Sequence, residues 1–140
     1  MLGRLLLTLD AIALLLGAPI ADYNHTHIFN PRWPPHAKFH CAQTITLSVA
    51  LSLATLYHTW RPSFLPPSTP PALAKQRAQD SLGAAVFTGT IYWLAGLASI
   101  LYPGTEGIDP EFGPPGFPQA PLFIVFASLA VLGWLLERRA

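Results

Sequence analysis

Charge is what this sequence has least of. Only 11% of its 140 residues are Asp, Glu, Lys or Arg, under half of the roughly 25% found in an average soluble domain. With 51% hydrophobic residues and a mean hydropathy of +0.40, that scarcity suits lipid better than water. The net charge of +1 offers no basic surface for a nucleic-acid partner. Cysteine is nearly absent too. The single Cys41 excludes an intrachain disulfide and leaves the redox compartment open; it reads as a small apolar residue at the start of a membrane helix. Internal repeats are lacking, and the length allows one domain, 1–140.

What is present is a set of apolar runs. Residues 2–21 are about as long as the ~20 residues needed to cross a bilayer. A secretory signal peptide is the competing reading, but Pro19 occupies its small-residue position and Asp10 interrupts its hydrophobic region. A second span is predicted from about His36 to Trp60, started by Pro34-Pro35, with Tyr57 and Trp60 at the far interface. The proline-rich stretch 61–78 reads as a loop with a short helical approach to a third span, about Asp80 to Tyr102. There Ser81, Ala85 and Gly89 recur at a spacing that lets helices approach closely in lipid. A Gly- and Pro-rich acidic loop, 103–120, precedes a fourth span, about Pro121 to Leu136. The expected fold is all-α: an integral membrane four-helix bundle, with two irregular loops on its non-cytoplasmic face. Arg4, Arg61, Lys75, Arg77, Arg138 and Arg139 fall on the side of the termini, against Arg32 and Lys38 on the other. By the positive-inside rule both termini are expected to be cytoplasmic, in the endoplasmic reticulum if the cell is eukaryotic.

Chemistry concentrates in residues 22–43, which hold four of the five histidines in the longest polar stretch of the chain. His36 and His40, four apart, share a helix face that Gln43 and Thr44 extend. A stripe of that kind is expected to face the bundle interior or a cavity, since lipid exposure is costly. Interfacial histidines that merely tolerate the headgroup region are the plain alternative. Upstream, His25 and His27 with Asp22 and Asn24 form a compact polar cluster, in which Asp22 with one of these histidines would make a carboxylate–imidazole pair that sets the tautomer of a base. His36 or His40 with Asp22 would equally supply base and orienter, with Asp10 or an acidic-loop residue giving the proton. Asn24 or Asn30 would orient a polar substrate atom and Trp33 would stiffen the connection, although capping by Asp22 and Asn24 is an equally ordinary use. Asp10 lies mid-span, where a charged carboxylate costs roughly 2.5 to 3.5 kcal/mol. It is therefore neutral or partnered: a proton donor, or a packing bond to Thr88, Thr90 or Tyr92. Glu106, Asp109 and Glu111 are expected to be solvated, with one of them able to complete a site over the histidines.

His25-x-His27 and His36-x-x-x-His40 are both chelating spacings for zinc, iron or copper. The preferred reading assigns no metal and no cofactor, with a His-ligated redox protein as one alternative. Asn24-His25-Thr26 fits a glycosylation sequon, but its closeness to the membrane exit makes the fit one of chance.

The stretch Asp22-x-Asn24-x-Thr26-His27-x-Phe29-Asn30-Pro31-x-Trp33-Pro34-Pro35-His36-Ala37-x-Phe39-His40 resembles the signature of small four-span membrane proteins of fungi and bacteria. Some fungal proteins of this size and layout are epoxide hydrolases or cyclases of polyketide or terpenoid pathways. The layout is also similar to the EXPERA group of sterol isomerases and sigma-2-like proteins, whose membrane cavity takes a lipophilic ligand. The resemblance implies an acid–base enzyme opening or cyclising an epoxide, or shifting a double bond, in a lipophilic small molecule. Asp22, His27, His36, His40 and Asp10 would be catalytic, and Asn24, Asn30, Trp33, Gln43 and Tyr92 would line the substrate. A non-catalytic sterol- or lipid-binding protein is the other alternative. Expected partners are the lipophilic substrate and membrane lipids; the oligomeric state is not legible.

Overall fold

In lipid, backbone N–H and C=O groups must bond within the chain, so long apolar runs fold as helices. A computed structural model describes residues 1–138 and shows four: α1 (Leu2–Asp22), α2 (Pro35–Trp60), α3 (Pro71–Ser99) and α4 (Ala120–Glu137). A 3-10 turn, Arg61–Phe64, follows α2 directly, and no strand is present among the described residues. All four helices are long and apolar enough to span a membrane, and they pack as one bundle compatible with an integral multi-pass protein. Arg139, counted above toward the basic side, lies outside the described residues.

One boundary differs clearly from expectation. α3 begins at Pro71, nine residues before Asp80, because Pro71 suits the first helical position and Ala72 to Ala78 consists of good helix formers. The helix also stops at Ser99 rather than Tyr102, where 3-10-type turns from Leu97 and Ala98 close its end.

Neighbours around the bundle are α1–α2, α2–α3, α3–α4 and α4–α1, with α1 and α3 meeting only slightly across the axis. Each helix turns its smallest or most apolar face inward. On α1 this face is Gly3, Leu7, Asp10, Ala11, Leu14 and Ala18; on α4 it is Ala127, Ala130 and Gly133. Gly3 and Gly133 abut so closely that a Cβ on Gly133 would lie 2.7 Å from the Gly3 carbonyl, the close approach that small residues permit in lipid. The inward row of α2 is Cys41, Ser48, Ser52, Thr55 and Thr59. Its hydroxyls do not form a polar channel, because each donates to a backbone carbonyl: Ser52 to Ala11 on α1, and Thr55 and Thr59 to Leu51 and Thr55 on their own helix.

The up-and-down order brings the 23–34 loop and the 100–119 loop to the same end of the bundle, opposite the two termini. At the other end Glu137 accepts from the Arg4 backbone N–H, and the Trp60 indole donates to Thr8 at 3.0 Å, joining α1 to α4 and α2.

Candidate functional site

The imidazole-bearing loop is a series of local turns. Asn24 closes α1 by donating its amide N–H to the Ala21 carbonyl at 2.6 Å, which aims Oδ1 back at Thr26. That oxygen accepts the Thr26 backbone N–H at 2.8 Å and its hydroxyl at 2.6 Å. Thr26 Oγ1 also lies 2.7 Å from His27 Nδ1. Its single proton is already engaged by Asn24, so the proton in the second contact belongs to His27. The neutral His27 ring is thus the Nδ1–H tautomer, which puts its lone pair on Nε2. That Nε2 lies 3.7 Å from Asp22 Oδ1, too far for a direct hydrogen bond and near enough for strong electrostatic coupling. The Trp33 ring meets the His27 ring edge-on, at 5.0 Å between centroids.

These groups border an open groove of about 350 Å³ at the junction of α1, the loop and α2, lined by Asp22, His27, Trp33, Ala37, His40, Cys41 and Thr44. The Asp22 carboxylate is within electrostatic reach of the Cys41 thiol and of the Tyr92 phenol on α3. Chemically, the groove offers an imidazole beside a carboxylate, a second imidazole from α2, and the half-buried Trp33 ring.

The acidic loop backs the groove without lining it. Trp33 Nε1 donates to Asp109 Oδ2 at 2.9 Å, and the buried Asn30 donates to Glu111 Oε1 at 3.1 Å while accepting the Arg32 N–H at 2.9 Å. Arg32 forms an ion pair with Glu111, and the His25 ring sits edge-on to Phe112. Glu106 instead accepts the Gly116 N–H, at a position with φ of +135° that only glycine adopts readily. Asp109 and Glu111 are therefore engaged in fixing the imidazole loop, Asp109 half-buried and Glu111 still exposed as expected, and neither lines the groove.

Several sequence expectations need correction. The stripe His36, His40, Gln43, Thr44 lies on the exposed side of α2, not toward the interior, because the small residues from Cys41 to Thr59 take the inward face. Of that stripe, His40 and Thr44 still reach the groove. His36 instead sits behind His40, with Nε2 to Nε2 at 3.1 Å, and Gln43 Oε1 lies 3.3 Å from His40 Nδ1. Asn24 and Asn30, expected to orient substrate, are engaged in holding the loop itself. Tyr92 packs on the Leu14–Trp93–Ala127 cluster and is not among the groove-lining residues.

Asp10 is fully buried and accepts the Trp93 indole N–H at 2.7 Å, not a bond from Thr88, Thr90 or Tyr92. Its Oδ2 has no partner among the described residues. At 1.5 Å per residue, Asp10 stands about 18 Å along α1 from Asp22, so it cannot share a reacting atom with the groove. Sequence reasoning gave Thr26 no role; its only available signal was its place beside a histidine and two residues after an asparagine. No group of three or more His, Cys, Asp and Glu side chains placed to hold a metal occurs among the described residues.

No curated protein and no solved structure matches this chain. A family model described as a family of unknown function, DUF6640, matches residues 6–140. Since that match runs from the first turns of α1 through the other three helices and both loops of the groove end, the chain belongs to this family.

Proposed function

We propose that the protein is a membrane-embedded acid–base enzyme acting on a lipophilic small molecule, with opening of an epoxide by water or by an internal hydroxyl as its reaction. The observation that carries this is the pairing of His27 Nε2, the lone-pair nitrogen of the neutral ring once Nδ1–H is held by Thr26, with Asp22 Oδ1 at 3.7 Å on the wall of an open groove. A water held between the two gives one proton to Nε2 while its oxygen attacks the oxirane carbon. The carbon–oxygen bond breaks, and the departing oxygen takes a proton from the imidazolium form of His40, the member of the His40–His36 pair that borders the groove; His27 then releases the proton it gained to solvent as His40 regains one. Asp22 stabilises the imidazolium formed on His27. The product is a diol, or a cyclic ether or alcohol when the nucleophile is internal.

The groove, at about 350 Å³, is at the small end of ligand sites, which span roughly 300 to 1,000 Å³. It suits the reacting end of a substrate whose apolar remainder stays among the acyl chains. With Arg4, Arg61, Lys75, Arg77 and Arg138 toward the termini, the positive-inside rule puts the termini in the cytoplasm and the groove on the opposite face. The resemblance of residues 22–40 to fungal and bacterial four-span proteins supports a polyketide or terpenoid substrate. A sterol- or lipid-binding protein without turnover is the second reading, favoured by how wide open the groove is.

The test uses purified chain in lipid nanodiscs with a panel of lipophilic epoxides, following diol and cyclised products. Conversion that falls with Asp22→Asn supports the enzyme. Saturable binding of the same compounds with no conversion favours the binding protein.

A further inference from the structure

We infer that His36 and His40 form a binding site for a single divalent transition-metal ion, of the zinc or copper class, on the outer rim of α2. The two rings are exposed, and their Nε2 atoms face each other at 3.1 Å with the ring planes 80° apart. Zinc–imidazole bonds are about 2.0 to 2.1 Å long, so two such ligands subtending an octahedral or tetrahedral angle stand about 2.9 to 3.4 Å apart. The nitrogen separation therefore matches the bite of a chelate, and metal entry displaces the proton between the rings and turns both lone pairs toward the ion. The outer contacts match as well. His40 Nδ1 lies 3.3 Å from Gln43 Oε1, an acceptor for its ring N–H, which leaves Nε2 as the ligand atom. The His36 and Phe39 rings lie nearly parallel, with planes 12° apart and centroids 6.2 Å apart.

Two imidazoles leave the remaining coordination positions to water, which the exposed rim supplies. The site is thus open and exchangeable, unlike a structural site closed by four protein ligands. Resting on the proposed acid–base function, one consequence follows: metal bound between the rings replaces the proton that the pair would donate, so zinc inhibits turnover.

Isothermal titration of ZnCl2 into the full chain, purified in detergent and free of affinity-tag histidines, tests the site. Wild type and His27→Ala are expected to bind one zinc per chain. Binding is expected to be lost in His36→Ala and in His40→Ala, and weakened roughly tenfold in Gln43→Ala, where the outer-shell acceptor is removed. His36→Gln, which keeps a polar side chain at the exposed position, controls for folding, and helicity by circular dichroism is read on each variant. No zinc binding by wild type, or binding that survives both His36→Ala and His36→Gln, overturns the inference. Zinc binding by a wild-type chain that converts no epoxide would overturn the acid–base function and leave this site standing.

Discussion

Trp33 donates its indole N–H to Asp109 Oδ2 at 2.9 Å, and so ties the loop that carries the imidazoles to the loop that carries the carboxylates. Residues 76 apart in sequence fix one wall of the groove. Trp33→Phe keeps an aromatic ring beside His27 but removes the donor and part of the ring's volume. The expected cost is about 1.5 to 3 kcal/mol, the value of a hydrogen bond to a charged group, read by thermal unfolding in detergent.

The same tie should distinguish buried from exposed partners of Glu111. Asn30 is 1% exposed, whereas the Arg32 side chain is 68% exposed. Asn30→Ala leaves buried polar groups unbonded and should destabilise by about 1 to 3 kcal/mol. Arg32→Ala removes a surface ion pair and should cost under about 1 kcal/mol. Comparing the two melting curves checks the order.

Thr26 fixes the tautomer on which the base depends. Thr26→Val preserves the β-branched shape and removes the acceptor for His27 Nδ1–H. Turnover should fall roughly 10- to 100-fold, the loss that follows removal of a group orienting a functional imidazole. Nitrogen-15 spectra of labelled histidine should show His27 as Nδ1–H in wild type and as a tautomer mixture in the variant.

Asp10 and Gly89 should behave as a coupled pair. A Cβ at position 89 would lie 2.5 Å from Asp10 Oδ2, and both groups are buried on the bundle axis. Gly89→Ala should destabilise by about 1 to 3 kcal/mol through overpacking. Adding Asp10→Ala removes the obstructing oxygen, so the double variant should be less destabilised than the sum of the singles. Strict additivity of the two melting shifts would refute the contact.

The bundle was legible from hydropathy, because lipid admits few alternatives to a helix for an apolar run of twenty residues. The meeting of the two loops followed from the up-and-down order alone. The rotation of each helix did not. His36, His40, Gln43 and Thr44 form one face by their spacing, but so do Ser48, Ser52, Thr55 and Thr59, and spacing does not say which face turns inward. The structure selects the row of small residues, which lets α2 approach α1 closely enough for Ser52 to reach the Ala11 carbonyl at 2.7 Å. The partner of Asp10 was missed for the same reason: Thr88, Thr90, Tyr92 and Trp93 all lie near one level of α3, and the rotation of that helix brings the long indole to the carboxyl.

The most direct measurement is the turnover of a lipophilic epoxide by His27→Ala and by Asp10→Asn, side by side with wild type in the same nanodiscs. Loss of the base in the groove should lower kcat/KM by roughly 100-fold or more, the contribution of a positioned general base, while Asp10→Asn, about 18 Å away along α1, should stay within roughly threefold of wild type. Undiminished turnover by His27→Ala, or collapse of turnover in a folded Asp10→Asn, would contradict the assignment of the chemistry to the groove.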